Sequence, residues 1–290
     1  MPRKGKRALI TAADIESATS PVSVSQDAII TPSARDAAEK RGIQIIRVAE
    51  TSPRMHPPQG TKVRLSEFCR FIDHTNLSPA ASEADIARLC DEAREHGFAS
   101  VCVAPTRVRL AAAQCKGSQV HVCSVAGFPS GMHATGVKVA EARAAIEDGA
   151  TEIDMVANAG LLVDDRLSDY AGEITAVRQA IGPSTTLKVI IEASLLRDAD
   201  IVRAAVCAAQ AGADFVKTST GVYGQAKLEH VRLLRQVLDA RVKIKAAGGI
   251  KTAAQALAFI EAGADRLGTS SAVQLIQQWR DREIASLRSQ

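Results

Sequence analysis

Three charged residues lie inside segments that otherwise look like buried strands, and their types suggest amine chemistry. Lys217 stands in DFVKTST, Lys245 in VKIKAAGG and Asp154 in EIDMVAN. A lysine inside a strand is destabilising when buried unless it is paired or neutralised. Because alternate residues of a strand share a face, Lys217 lies with Ser219 and Lys245 with Lys243. The alternation alone does not decide which face points inward.

An unprotonated lysine can attack a carbonyl and form a Schiff base, whereas a free lysine titrates at about 10.4. Burial and a second cation nearby both favour the neutral amine, so Lys245 on a neighbouring strand would activate Lys217. Asp154, from a third strand, would move protons between the carbinolamine, the imine and the enamine. The alternative is that both lysines are surface residues at strand ends, with their apolar stems lying along the protein.

Two glycine-containing turns late in the sequence are suited to bind an anion. Gly248 and Gly249 follow one strand-like segment, and GTSS at 268–271 follows the next, where a helix is expected to begin. Backbone N–H groups of such turns and helix N-termini bind phosphate, and the last two strands of an α/β barrel are a recurrent place for it. Two ordinary tight turns are the alternative.

Other spacings that carry chemistry are missing from the sequence. It has no H-E-x-x-H, no C-x-x-C and no G-x-G-x-x-G pattern, so we expect no metal and no cofactor. His74 in IDHTN either takes part in the reaction or satisfies a cap or the core. Cys102 either lies near the mouth of the site or is a small apolar core residue.

The segments around these residues alternate between strand-like and helix-like patterns, and eight such pairs emerge. Helices are expected at 82–96, 105–115, 134–148, 165–181, 198–211, 226–239, 252–262 and 271–287. Strand-like runs such as KVIIEA are apolar at consecutive positions, as in parallel strands that are covered on both faces. Eight β-then-α units predict an α/β fold, a (β/α)8 TIM barrel, whose active site lies at the C-terminal ends of the strands.

A proline-rich break, TSPRMHPPQG at 51–60, interrupts the periodic pattern and is interpreted as a linker. The barrel is assigned to 61–290, since about 250 residues are typical of this fold. Residues 1–50 form an N-terminal α/β extension. In it, ALITAADIESA predicts a capped helix, and AIITPSARDAAEKRGIQIIRV predicts a strand, a helix ending at Gly42 and a second strand.

Composition limits the partners. The net charge is +4 and only 3% of residues are aromatic, which argues against a nucleic-acid-binding surface. No stretch of about 18 apolar residues predicts a membrane span, and no signal peptide is recognised. We therefore expect a cytoplasmic protein.

Residues 68–279 resemble the deoxyribose-phosphate aldolase family through FIDHTNL, SVCVAP, VAGFPSG, EIDMVANAG, KVIIEASLL, GADFVKTSTG, IKAAGGIKT and GADRLGTSS, in this order. The resemblance implies a class I aldolase, a carbon-carbon lyase that reversibly cleaves 2-deoxy-D-ribose 5-phosphate to D-glyceraldehyde 3-phosphate and acetaldehyde. It makes Lys217 the Schiff-base lysine, Lys245 the residue that tunes it, and Asp154 the proton donor or acceptor. The substrate-binding residues that it implies are Asp73, Thr75, Cys102, Gly221, Gly248, Gly249, Ser270 and Ser271.

Three positions depart from the common pattern of that family. Ala104 stands where asparagine is frequent, Ala247 where serine is usual, and Val222 where phenylalanine or lysine is common. None removes a catalytic group. The departures concern substrate preference and affinity rather than the class of reaction.

The first 50 residues resemble the N-terminal segment of a bacterial ethanolamine-utilisation microcompartment protein, through RALITAADIESA and AIITPSARDAAEKRGIQI. This implies docking to a shell or lumen partner inside a microcompartment; a packing appendage or oligomerisation arm is an equal alternative. We also expect a homo-oligomer. Two other functions stay open: a related Schiff-base aldolase or transaldolase with another acceptor, and a non-catalytic barrel that serves microcompartment assembly.

Overall fold

The structure, a computed structural model, describes residues 9–16, 22–25, 28–43, 45–48 and 64–288. The predicted linker at 51–60 lies outside these residues. The chain divides into two compact units, one within Met1–Arg54 and Gln236–Ala240 and the other within Met55–Arg235 and Arg241–Gln290. None of the helices in the described ranges is long and apolar enough to span a membrane.

The N-terminal unit repeats a short strand–helix–strand pattern. Its elements are β1 (Leu9–Ile10), α1 (Ala12–Glu16), β2 (Val22–Ser25), β3 (Ile29–Ile30), α2 (Pro32–Arg41) and β4 (Ile45–Val48). β1 pairs with β3 and β2 with β4, both in parallel. The predicted end of α2 is confirmed, because Gly42 takes φ 62 and closes the helix. The helix predicted in ALITAADIESA is shorter than expected, because Leu9 and Ile10 pair with β3 as a strand.

The second unit is a closed barrel of eight parallel strands, which confirms the (β/α)8 prediction. Each strand pairs with the next along the chain, and the last pairs with the first. The strands are β5 (Ile72–Asn76), β6 (Ser100–Val103), β7 (His121–Ala126), β8 (Glu152–Val156), β9 (Thr186–Ile190), β10 (Phe215–Lys217), β11 (Lys243–Ala247) and β12 (Arg266–Thr269).

The helices follow the predicted ranges closely. They are α4 (Glu83–His96), α5 (Val108–Cys115), α6 (Thr135–Glu147), α8 (Leu167–Ile181), α9 (Asp198–Gln210), α10 (Leu228–Val237), α11 (Ala253–Glu261) and α12 (Ala272–Arg288). Sequence reasoning did not find α3 (Leu65–Cys69) and α7 (Ala159–Val163). Each has five residues, which is too short for a helical period to show.

The barrel strands are buried on both faces, as their apolar runs predict. On β9, Leu187 and Val189 are fully buried, and so is Lys188 between them. Because side chains alternate along a strand, Lys188 points to the opposite face from its two apolar neighbours. The strands therefore place an apolar layer beneath the helices and send charged side chains into the barrel interior.

Candidate active site

Lys217 and Lys245 meet inside the barrel, as the sequence suggested. They are direct partners in the register of β10 and β11. Both Nζ atoms lie 2.7 Å from the same atom, Oδ2 of Asp154 on β8. Lys217 is 3% exposed, and the other two side chains are fully buried. The sequence left the inward face undecided; in the structure both lysines are buried, which is not the arrangement of two surface lysines.

Sequence reasoning missed a third lysine in this cluster. Lys188 Nζ lies 2.8 Å from Oδ1 of Asp154 and 2.6 Å from Oε2 of Glu152. The signal was present, because Lys188 stands inside the apolar run LKVII, and Glu152 precedes Asp154 by two residues and therefore shares its face.

Asp73 and Arg266 complete the ion pairs toward the N-terminal end of the barrel. Lys245 Nζ lies 2.5 Å from Oδ2 of Asp73, and Arg266 contacts Oδ1 of the same carboxylate. Arg266 also lies 3.1 Å from Oε2 of Glu152. Asp73 was expected to line the site, but it is fully buried and paired with these cations. Asp73 therefore acts on the reacting atoms through its ion pair with Lys245.

The mutual pairing keeps Asp154 and Lys245 charged. Burial alone would raise the pKa of Asp154, but the ammonium groups of Lys188, Lys217 and Lys245 hold that pKa well below its ordinary value. Burial would lower the pKa of Lys245, but the carboxylates of Asp154 and Asp73 raise it above its ordinary value. Lys245 is therefore a fixed cation beside Lys217.

A cleft of about 620 Å³ opens at the C-terminal ends of the strands. Lys217 lines it, whereas Lys188 and Lys245 do not. Its other lining residues include the predicted substrate-binding residues Thr75, Gly221, Gly248, Gly249, Ser270 and Ser271, together with Lys251, Arg88 and Phe128. Of the three clustered lysines, Lys217 is thus the one that can meet a substrate.

The two predicted anion turns are close-packed backbone. Gly248 has φ 104, and a Cβ atom there would lie 2.9 Å from the carbonyl oxygen of Gly224, so only glycine fits. α12 begins at Ala272, directly after Ser271, which lines the cleft. An anion in this part of the cleft would be near both a glycine turn and a helix N-terminus.

The remaining candidates make no ion pair with the lysine cluster, although His74 lines the cleft. Cys102 is fully buried against Cys123 and Val125, which confirms the core-residue interpretation and not the mouth position. His74 Nε2 lies 2.7 Å from Oε2 of Glu92, and burial lowers the pKa of this histidine. Lys243, on the same face of β11 as Lys245, is exposed.

One group of potential metal ligands occurs among the described residues. Cys102, Cys123 and Asp154 offer ligand atoms within 4.8 Å of one another. The carboxylate of Asp154 is, however, shared by three lysines, and their charges would repel an added cation. These residues therefore suit a proton relay better than a metal.

The family model for the DeoC/LacD family of aldolases matches residues 69–277, which is most of the chain and nearly the whole barrel. The chain belongs to this family. Its Lys217, Lys245 and Asp154 all lie within the matched range, as does every residue that lines the cleft.

The chain is also similar to individual deoxyribose-phosphate aldolases. The deoxyribose-phosphate aldolase of Thermococcus gammatolerans is 49% identical over 75% of this chain and 98% of its own. Deoxyribose-phosphate aldolase 1 of Cutibacterium acnes is 48% identical over 71% and 95%. The tetrameric deoxyribose phosphate aldolase of Aeropyrum pernix has a TM-score of 0.70 and 34% identity, covering 75% of this chain and 92% of that one.

Two of the three departures from the family pattern lie in the cleft. Val222 lines it next to Gly221 and is 58% exposed. Ala247 lines it just before the Gly248 turn and is buried. Ala104 follows β6 and is half-buried. Val222 and Ala247 therefore lie where they can alter the affinity for a ligand in the cleft.

Proposed function

We propose that this chain is a class I aldolase that reversibly cleaves 2-deoxy-D-ribose 5-phosphate to D-glyceraldehyde 3-phosphate and acetaldehyde. One observation carries the proposal: Lys217 is the lysine of the buried cluster that opens on the cleft, and its Nζ shares a carboxylate oxygen with a second, fully buried lysine. The relatives named as deoxyribose-phosphate aldolases support the choice of substrate.

In the proposed reaction, the Lys217 amine attacks C1 of the open-chain sugar and gives a carbinolamine. Loss of water forms the protonated imine. The C3 hydroxyl then loses its proton, the C2–C3 bond breaks, and its electron pair moves into the imine to give an enamine. D-glyceraldehyde 3-phosphate leaves at this step. Protonation of the enamine at C2 and hydrolysis release acetaldehyde and restore the amine.

The charges of the barrel interior suit an amine that must lose a proton. Four cationic side chains face three carboxylates: Lys188, Lys217, Lys245 and Arg266 against Asp73, Glu152 and Asp154. If all were ionised, one positive charge would be uncompensated in a poorly hydrated interior. Lys217 is the cation of this group with access to the cleft.

Asp154 is placed to move protons for these steps. Its Oδ2 lies 2.7 Å from Lys217 Nζ, so a proton can pass between the ammonium or carbinolamine and the carboxylate. Lys188 and Cys123 fix its other oxygen, Oδ1, at 2.8 and 3.1 Å. The carboxylate is thus held by one oxygen while the other stays at the reacting nitrogen.

The phosphate is assigned to the turns at Gly221, Gly248–Gly249 and Ser270–Ser271, with Thr75 on the sugar. Lys251, which sequence reasoning did not single out, adds a cation to this wall of the cleft. Asp73 and Cys102 are assigned supporting roles, because neither lines the cleft.

Product analysis tests the proposal. Incubation with 2-deoxyribose 5-phosphate should release acetaldehyde and glyceraldehyde 3-phosphate in equal amounts. Activity should persist in EDTA, because the enamine takes the place of the metal that class II aldolases use. Release of another product would favour a different Schiff-base aldolase or a transaldolase. Absence of any imine with aldehydes would favour the non-catalytic barrel.

For residues 1–50 we propose a docking role in a bacterial microcompartment within the cytoplasm, supported by the sequence resemblance. Leu9 and Ile29, partners in the β1–β3 register, are 57% and 50% exposed and would supply an apolar contact. A fluorescent protein fused to residues 1–60 should co-localise with a shell protein. Diffuse fluorescence, together with a smaller oligomer on truncation, would favour an oligomerisation arm. We propose a homo-oligomer, as in the tetrameric Aeropyrum pernix enzyme.

A further inference from the structure

Glu192 is a buried carboxylate that the proposed reaction does not use. It comes two residues after β9 and is 3% exposed. Its backbone takes φ 49 and ψ 55, a left-handed conformation that residues other than glycine rarely adopt. Such a conformation persists where the surrounding contacts over-determine it. The contacts of Glu192 therefore indicate what this loop holds in place.

The carboxylate holds the turn that follows β10. Thr220 donates two hydrogen bonds to Oε2 of Glu192, from its backbone N at 3.0 Å and from its Oγ1 at 2.5 Å. The same Oγ1 accepts a hydrogen bond from the backbone N of Val222 at 3.1 Å. These bonds fix the backbone on both sides of Gly221, which lines the cleft.

The backbone beside Glu192 continues this attachment toward the catalytic lysine. The N–H of Ile191 donates to the carbonyl oxygen of Lys217 at 3.1 Å, and that of Ala193 donates to Thr218 at 2.8 Å. Hydrogen bonds from residues 191–193 thus reach the chain from Lys217 to the turn at Gly221. The backbone bonds hold Lys217 and Thr218, and the side chain of Glu192 holds Thr220.

The Gly221 turn in turn determines where the next turn lies. A Cβ atom at Gly221 would lie 3.3 Å from Cα of Gly248, so the two turns are in contact. The carbonyl oxygen of Gly248 accepts a hydrogen bond from the N–H of Ala226 at 3.0 Å. Displacement of Gly221 would therefore disturb the Gly248–Gly249 turn as well.

We propose that Glu192 is a positioning residue for the substrate's phosphate group and thereby determines the preference for phosphorylated over unphosphorylated sugars. It fixes the Gly221 turn, and through it the Gly248 turn, in the conformation that receives the anion. The inference rests on the proposed function. A carboxylate near an anion site would by itself repel the anion, so its place there is explained by the two hydrogen bonds that it accepts from Thr220.

Two variants test this inference. Glu192→Gly removes the carboxylate and suits the left-handed backbone, so the loop can fold without it. We expect its KM for 2-deoxyribose 5-phosphate to rise about tenfold, as for the loss of one or two hydrogen bonds, with kcat nearly unchanged. For unphosphorylated 2-deoxyribose, kcat/KM should not change. Glu192→Gln, which keeps an acceptor oxygen, should restore most of the affinity.

The control is Ser194→Ala. Ser194 Oγ lies 3.4 Å from Oε1 of Glu192, the oxygen that Thr220 does not use, and its loss should leave both sugars unaffected. An equal fall in kcat/KM for both sugars in Glu192→Gly would overturn the proposal, because it would mean that Glu192 supports the whole site. An unchanged KM for the phosphorylated sugar would overturn it as well.

A binding measurement separates this inference from the proposed function, because it needs no turnover. Calorimetry with inorganic phosphate should show about tenfold weaker binding to Glu192→Gly than to the wild type. Equal affinities would contradict the role of Glu192 whatever the enzyme's activity. An inactive wild type whose phosphate affinity still depends on Glu192 would instead contradict the proposed reaction and leave the positioning role supported.

Discussion

The two ends of the barrel interior hold the same kinds of charged side chains in opposite proportions. At the N-terminal end, Arg266 pairs with two carboxylates, Asp73 and Glu152. At the C-terminal end, Lys217 and Lys245 share one oxygen of Asp154. At the N-terminal end, Lys245 also pairs with Asp73 and Lys188 with Glu152, so both carboxylates have cationic partners and the ion pairs support the fold. Where cations are in excess beside an open cleft, one amine can become a nucleophile.

The largest expected effect comes from Lys217→Arg. A guanidinium keeps the positive charge and most of the bulk but stays protonated, so it cannot form an imine. We expect kcat to fall by at least about a thousandfold. Lys243→Arg is the matched control, because Lys243 is an exposed lysine on β11, and its activity should equal that of the wild type. Comparable losses in both variants would mean that the comparison of the two ends is wrong.

Lys245→Leu should have the next largest effect. Without Lys245, Oδ2 of Asp154 pairs with Lys217 alone, which favours the protonated amine. We expect kcat to fall about a hundredfold at neutral pH and the residual rate to increase toward alkaline pH. A pH–rate profile checks this. A flat loss at every pH would show that Lys245 acts by shape and not by charge.

Arg266→Met tests the N-terminal end, where the expected effect is on stability. The loss of one partner from buried ion pairs should lower the free energy of unfolding by about 3–5 kcal/mol at neutral pH, with kcat changed less than about tenfold. Arg109→Met is the control, since Arg109 is an exposed arginine paired with Asp148. A collapse of kcat in a stable Arg266→Met protein would contradict the division into two ends.

The same variant has a defined pH dependence. Burial would raise the pKa of Asp73, but Arg266, Lys245 and Lys188 hold it below its ordinary value. A carboxyl whose folded pKa is depressed stabilises the fold above its unfolded pKa, and this contribution disappears as pH falls through the folded pKa. The difference in the free energy of unfolding between wild type and Arg266→Met should therefore have its full value above about pH 4 and decrease in stronger acid. Denaturant unfolding across this range measures it.

Sequence reasoning found the C-terminal end of the interior better than the N-terminal end. Lys217 and Asp154 were conspicuous as charged residues in the middle of apolar strands. Arg266 opens its strand, where a charged residue is ordinarily a solvated one, so it gave no signal. Lys188 had the same signal as Lys217, a charged residue inside an apolar strand, and was overlooked.

Other features of the site can be recognised only in the folded chain. The buried position of Asp73 follows from the closure of β12 on β5, which joins residues far apart in sequence. Glu192 depends on a left-handed backbone and on Thr220, 28 residues away. Neither leaves a local pattern. The order of strands and helices was predictable because each β-then-α unit carries its own periodicity and end signals.

The smallest effect is expected from removal of residues 1–60. Every proposed catalytic and binding residue comes later in the sequence, so kcat/KM should stay within about twofold of the full-length value. Localisation or oligomer size should change instead. Steady-state kinetics and size-exclusion chromatography of the truncated protein measure both. Loss of turnover in a soluble, folded truncation would show that the extension completes the site.

Trapping of the imine tests the central claim most directly. Borohydride added with acetaldehyde should inactivate the enzyme and leave a two-carbon mass increment on Lys217, in the peptide that contains DFVKTSTG. Lys217→Arg should not be labelled. A label on Lys245 or Lys188, with Lys217→Arg still trapped, would show that the nucleophile is a different lysine and would contradict the account given for the open end of the barrel.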